Sequence, residues 1–341
     1  MMNRIQFKNP SALWRLPVLA AAIAFAPGIV VAQSFPNRPI EISVWAAAGG
    51  GTDATNRLIA KVMEKELGVS IVVSNRTGGG GAVAMNHVWS KPHDGYNWLG
   101  ASEAMQNAAV MGYHPTKTKD WRWYIVAGGP GSLAVKADSP YKTYEDLVKA
   151  AQANPGKVNI THCPIGCVFH LKAIALADAT KTKLNFVPYT GSAPAMVAVL
   201  SGDGAAVISS IAEQAEYIKG GKLRSLGMVE VVPFTFEGAT LPAIGAKYPD
   251  IGKMPARQWL GFAVPGDTPK AVTDRIDAAY VKAITNEEVK ATAARQYNGI
   301  IGLHGNESMK VLSAMESAVG WKLQEMGIAK VSPDSIGIPK P

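Results

Sequence analysis

The stretch from Ile40 to Arg57, IEISVWAAAGGGTDATNR, constrains this chain more than any other. A β-branched apolar run breaks at Gly49, Gly50 and Gly51, then passes through Thr52 and Asp53 into a helical pattern. A strand that turns straight into a helix aims unpaired backbone N–H groups at one point, and the helix dipole adds partial positive charge there. Such a corner holds a carboxylate or a phosphate without help from Lys or Arg. The same residues also read as a tight turn whose glycines serve packing alone.

The N-terminus carries the pattern of an export signal. Arg4, Lys8 and Arg15 precede an apolar run from Leu16 to Val31, with no acidic residue before Glu41. Val30 and Ala32 form a small-residue cleavage pattern, so residues 1–32 are expected to be removed after Ala32. The run contains Pro17, Pro27 and Gly28 and falls short of the roughly 20 residues that span a bilayer. A periplasmic protein is expected. Removing three basic residues lowers the formal charge from +8 to +5. The remaining Lys and Arg are scattered, without the stripe that nucleic acid requires. A mild positive excess suits a small anionic ligand.

Cys163 and Cys167 stand between His162 and His170, in the order H-C-x3-C-x2-H. That spacing departs from the usual zinc pairs, and all four residues share one short segment. A disulfide or free thiols therefore read better than a metal site, and no metal or cofactor is expected. Cys167 and His170 also suggest the nucleophile and base of an exported hydrolase, although no carboxylate nearby would orient the base.

Along the chain, strand and helix signals alternate. Strands are predicted at 69–74, 96–99, 158–161, 184–187, 205–208, 223–229 and 259–264. Helices are predicted at 82–90, 141–153 with Thr143 as cap, 167–179, 192–200, from Pro269 onward with Thr268 as cap, and 306–326. Residues 230–257 read as irregular, and Trp121 and Trp123 as packing. Alternation of this kind indicates parallel βαβ units and two α/β lobes with a cleft between them. Ligands in such folds sit beyond the carboxyl ends of strands, where the turns at 49–51, 164–167 and 189–192 fall.

Several motifs in fixed order resemble the Bug family, the extracytoplasmic solute receptors of tripartite tricarboxylate transporters. They include FPNRPIEISVWAAAGGGTDATNRLIA at 35–60, VVSNRTGGGGAVAMNHVWSKPHDGYNWLGAS at 72–102 and ADSPYKTYEDLVKAAQANPGKVN at 137–159. FVPYTGSAPAMVAVLSGD at 186–203, IKGGKLRSLGM at 218–228 and WLGFAVPGDTP at 259–269 continue the match. The resemblance implies a type II periplasmic binding protein and no enzyme. Lobe 1 would comprise 33–133 and 257–341, and lobe 2 would comprise 134–256. The lobes would close, as a monomer, on a small carboxylate, a dicarboxylate or an aromatic acid, and deliver it to membrane permease subunits. A receptor presenting ligand to a membrane kinase would have the same fold.

The resemblance also implies site residues. The loop Ala47–Asp53, with Ala48, Gly49, Gly50, Gly51, Thr52 and Asp53, would hold one carboxylate. A Gly-Ser-x-x-His segment of the family is matched by Gly166, Cys167 and His170, and a Tyr-x-Gly-Ser segment by Tyr189 to Ser192, including Thr190. Ser102, Glu103 and Ser209 complete the expected set, and Trp45 could stack on an aromatic acid. Cys167 stands where the family has Ser, and a thiol is the poorer donor. Glu103 would repel an anion unless protonated or turned away.

Overall fold

The computed structural model describes residues 35–341, so the export signal expected at 1–32 lies outside the described residues. No helix among the described residues is long and apolar enough to cross a membrane. The first stretch comprises β1 (Ile40–Val44), α1 (Gly51–Leu67), β2 (Ile71–Asn75), α2 (Ala82–Trp89), β3 (Asn97–Ser102), α3 (Glu103–Gln106) and β4 (Trp121–Gly128). The second comprises β5 (Gly131–Lys136), α4 (Tyr144–Ala153), β6 (Asn159–His162), α5 (Val168–Thr180), β7 (Asn185–Pro188), α6 (Ser192–Ser201), β8 (Ala206–Ser210), α7 (Ile211–Lys219) and β9 (Leu223–Met228). A hairpin of β10 (Phe234–Phe236) and β11 (Ala239–Leu241) and a short α8 (Ile244–Lys247) follow. The chain then closes with β12 (Leu260–Pro265), α9 (Lys270–Thr285), α10 (Glu287–Arg295), β13 (Gly299–His304) and α11 (Gly305–Glu325).

Two sheets carry the fold. The first has the order β13-β4-β12-β3-β1-β2 and the second β7-β6-β8-β5-β9. In each, the βαβ strands run parallel (β2, β1 and β3; β7, β6 and β8), and antiparallel strands complete the sheet. The chain passes from one sheet to the other at Gly129-Pro130, inside the segment expected to belong to lobe 1, and returns ahead of β12. The stretch expected to be irregular, 230–257, contains the β10–β11 hairpin and α8.

Local chemistry accounts for the helix ends. Thr143 caps α4 through a reciprocal box with Asp146, so the helix starts at Tyr144 rather than at Tyr141. At α9 the cap is Pro269 and not Thr268, whose hydroxyl donates to Pro265 O at 2.7 Å. α1 buries Ile59, Met63 and Leu67 and stops at Gly68, where a φ of 74° lets the Gly68 amide return to Glu64 O.

The first sheet is pinned by an aromatic stack across three strands. Trp98 of β3 lies 4.6 Å from Phe262 of β12, which lies 4.4 Å from Tyr124 of β4, all fully buried. Beside it, a Cβ on Gly261 would stand 1.9 Å from Tyr124 O, so only glycine lets β12 approach β4 this closely. Phe262→Ala should cost about 3–5 kcal/mol in urea unfolding. A loss under about 1 kcal/mol would mean that the stack does not hold the sheet.

Candidate functional site

The carboxyl ends of strands from both sheets meet around a small cavity of about 20 Å³. From the first sheet come Trp45, Ala46, Gly50, Gly51 and Thr52 at the β1–α1 corner, Ser102 and Glu103 at β3–α3, and Gln258 and Leu260 at the start of β12. From the second come Cys163 and Phe169 around β6–α5, Gly191 and Ser192 at β7–α6, and Glu213 on α7. The volume admits about one water. A larger groove of about 440 Å³ lies at the sheet crossings, beside Gly128, Pro130, Lys172 and Arg257, and none of the glycine corners opens into it.

The β1–α1 corner is built by Asp53. Its carboxylate accepts the Gly49 amide at 3.0 Å, Arg57 Nε at 3.0 Å and Asn75 Nδ2 at 2.9 Å. Burial pushes this carboxyl up, and those hydrogen bonds outweigh it and hold it below the ordinary range. Asp53 thus organises the loop and does not line the cavity. Ala48 and Gly49 are exposed outside the cavity.

Gly50, the N-cap of α1, offers no side chain to the first turn. The anion comes instead from the other sheet, because the Gly51 amide donates to Glu213 Oε1 at 2.8 Å. The other Glu213 oxygen accepts Ser210 N at 3.1 Å and Ser210 Oγ at 3.0 Å, closing a capping box on α7. One carboxylate therefore serves two helix starts, one on each sheet.

Glu103 is the second acid on the cavity. It is 7% exposed. Its Oε1 accepts Val168 N at 3.4 Å, and its Oε2 has no partner. Burial pushes it up to about 8, and Glu213 adds to the effect. Trp45 Nε1 is likewise buried without a partner. No Lys, Arg or His lines the cavity.

The remaining expected residues occupy other places. Cys163 and Cys167 are joined as a disulfide, so Cys167 has no thiol to act as a nucleophile or to bind zinc. Its Sγ instead accepts His170 N at 3.5 Å at the start of α5. His170 Nδ1 accepts the Gly166 amide at 3.1 Å, and its ring stacks on His162 at 4.7 Å. Burial holds the His162 and His170 imidazoles down at about 4 and about 3. The hydrolase reading is corrected on this geometry. Thr190 lines a separate groove with Tyr113 and Tyr189. Ser209 is fully buried, its hydroxyl accepting Gln214 Nε2 at 3.1 Å.

Sequence reasoning missed Glu213, Gln258, Ala46, Cys163, Phe169 and Leu260. Ser210-x-x-Glu213 is a readable capping box that could have flagged Glu213. Gln258 carries no such signal. Its Oε1 accepts the Gly129 amide at 3.1 Å and so ties the two crossings together.

Two α/β sheets with strand ends facing across a shared cavity define the two-lobed periplasmic binding protein class. The pattern of the family described as "Tripartite tricarboxylate transporter family receptor" matches residues 55–306. The chain belongs to this family of solute-binding receptors, which includes the Bug proteins. It is 31% identical over 270 residues to a UPF0065 protein in the tcbD-tcbE intergenic region of Pseudomonas sp., covering 75% of this chain and 77% of that one. It is 29% identical to Protein BugT of Bordetella pertussis, covering 74% of this chain and 78% of that one. Among solved structures, periplasmic binding protein BugD aligns with a TM-score of 0.79 at 22% identity, over 86% of this chain and 99% of that one. MatC of Rhodopseudomonas palustris, with bound malate, aligns at 0.71 and 22% identity, over 85% and 98%. A further R. palustris protein, with adipate, aligns at 0.72 and 20% identity, over 90% and 100%. The family and these neighbours are substrate-binding receptors, not enzymes.

Glu103 yields a pH prediction. Its folded value of about 8 lies above the ordinary 4.5, so the folded protein holds this proton more tightly than the unfolded chain does. The resulting stability is full below about pH 4.5 and is lost as the pH rises through about 8. Glu103→Gln keeps the shape and cannot ionise. Its melting temperature should therefore gain on the wild type steadily between about pH 5 and 8. A constant gap across that window would show that Glu103 ionises as it does in water.

Proposed function

We propose that this receptor captures a small organic carboxylate in the inter-lobe cavity and delivers it to the permease subunits of a tripartite transporter. One ligand carboxylate takes the N-terminus of α1. The observation that carries this reading is the 2.8 Å bond from the Gly51 amide to a carboxylate, that of Glu213. The corner accepts the very group that a ligand would bring, with helix dipole and free amides supplying the attraction. Malate and adipate in two structural neighbours support the same class of ligand.

Entry requires the lobes to part, since about 20 Å³ does not admit an organic acid. The crossings at Gly129-Pro130 and ahead of β12 are the hinge, and ligand contacts made only on closure drive the return. The expected periplasmic location, with the export signal removed after Ala32, fits a receptor that meets its ligand outside the cytoplasm.

The test is a thermal-shift and calorimetric panel of mono- and dicarboxylates. One of them should bind one-to-one without turnover, and at about 100 times its Kd should stabilise the fold by about 2.7 kcal/mol. No stabilisation by any acid would overturn the proposal. A second measurement isolates the corner. Gly51 is the first residue of α1, where proline is tolerated, so Gly51→Pro removes the amide donor and keeps the helix, and Gly51→Ala, whose Cβ meets Glu213 Oε1 and Leu260 at 3.2 Å but keeps the amide, is the reference for crowding. Affinity should fall about tenfold or more, the worth of a charge-assisted hydrogen bond. Unchanged affinity would place the carboxylate elsewhere.

A further inference from the structure

A cavity that takes an anion without a cation must offer donors of another kind. No Lys, Arg or His lines this one, whereas Glu103 and Glu213 both do. Glu213 has backbone or hydroxyl donors on each oxygen. Glu103 is buried, and its Oε1 accepts the Val168 amide only at 3.4 Å. A carboxylate buried on such terms takes up a proton rather than keep its charge. A protonated carboxyl accepts through one oxygen and donates through the other. Oε1 takes the Val168 amide, which leaves the proton to Oε2, and Oε2 finds no acceptor in the closed protein. Glu103 therefore brings to the cavity wall a buried O–H donor in want of an acceptor.

We propose that Glu103 binds the ligand as a neutral carboxylic acid, donating its O–H to the carboxylate that the α1 corner holds. This rests on the reading of the cavity as a carboxylate site. The ligand carboxylate displaces Glu213 from the Gly51 amide, and Glu213 keeps its bonds to Ser210. Two negative charges then share a cavity whose lining has no cation. An ionised Glu103 would be a third, so the acid serves the ligand only while it holds its proton.

The surroundings of Glu103 keep it neutral. Burial drives its carboxyl up, the amides of Glu103, Val168 and Trp259 pull it back, and Glu213 on α7 adds to the rise, leaving it at about 8. Arg257, ahead of β12, borders a void of about 10 Å³ beside Glu103 but is exposed, where solvent screens its charge. His162 on β6 and His170 on α5 are held neutral by burial. When the lobes part, water reaches Glu103 and its carboxyl returns toward the ordinary 4.5. Closing on a ligand at neutral pH therefore takes one proton from solvent, and the grip on the ligand weakens as the pH rises.

The experiment is isothermal titration calorimetry of the receptor with the tightest binder among benzoate, succinate, malate and adipate, in buffers of differing ionisation heat. Between about pH 6 and 9 the wild-type affinity should fall about tenfold or more, with proton uptake read as buffer-dependent heat. Glu103→Gln presents the same acceptor and donor and cannot ionise, so its affinity should stay flat across that window, without proton uptake. Glu103→Leu removes the donor and should bind about tenfold more weakly than wild type at pH 6. A wild-type affinity that does not change with pH, a fall that Glu103→Gln shares, or full affinity in Glu103→Leu would each overturn the inference and leave the carboxylate receptor standing. If none of the four acids binds, both fall.

Discussion

The start of α1 is a positive pole whose Gly51 amide no local side chain caps. Three glycines open the corner, and Gly50 has no side chain to turn back on the first amides. An isolated helix start would leave those donors to water. Here they are buried between two sheets, and a buried donor needs an acceptor. Glu213, 162 residues further along, supplies it at 2.8 Å. Nearly everything about the cleft follows from that requirement: which strand ends must converge, which group bridges the lobes, and what kind of guest can compete.

Three carboxylates stand within this region, and their surroundings give them different duties. Asp53 receives three donors and stays ionised, fixing the loop. Glu213 divides its oxygens between two helix starts. Glu103 accepts the Val168 amide at 3.4 Å on one oxygen, and burial outweighs its backbone donors in setting its titration. An acid held in that state is poorly matched to its site, and the mismatch marks where recognition differs from the simplest anion cradle. Most of the family-based site residues on the second lobe lie away from the lining of this cavity. The disulfide between Cys163 and Cys167 and the stacked His162 and His170 shape the β6–α5 turn.

Local signals in the sequence made much of this fold legible. The glycine corner, the Thr143 cap and the alternation from β6 through β8 rest on patterns only a few residues long. Elements that depend on distant neighbours were not visible in the same way. β4 reads as two tryptophans to be packed, because its pairing with β12 and β13 comes from elsewhere in the chain. The crossing at Gly129-Pro130 was available as a breaker pair between apolar runs, yet nothing local says that it changes sheets. The cavity was half legible. Its first-lobe corner has a motif, whereas Glu213 and Gln258 join it only through tertiary packing.

The strand order of the first sheet has a consequence for the timing of folding. β12 sits between β3 and β4 and hydrogen-bonds to both, yet it begins at Leu260. Until that segment leaves the ribosome, β3 and β4 present open edges and the Trp98–Phe262–Tyr124 stack lacks its middle ring. The nascent chain is thus kept from locking into its final shape for most of its synthesis. If the chain is exported unfolded, as proposed above, that delay serves its passage.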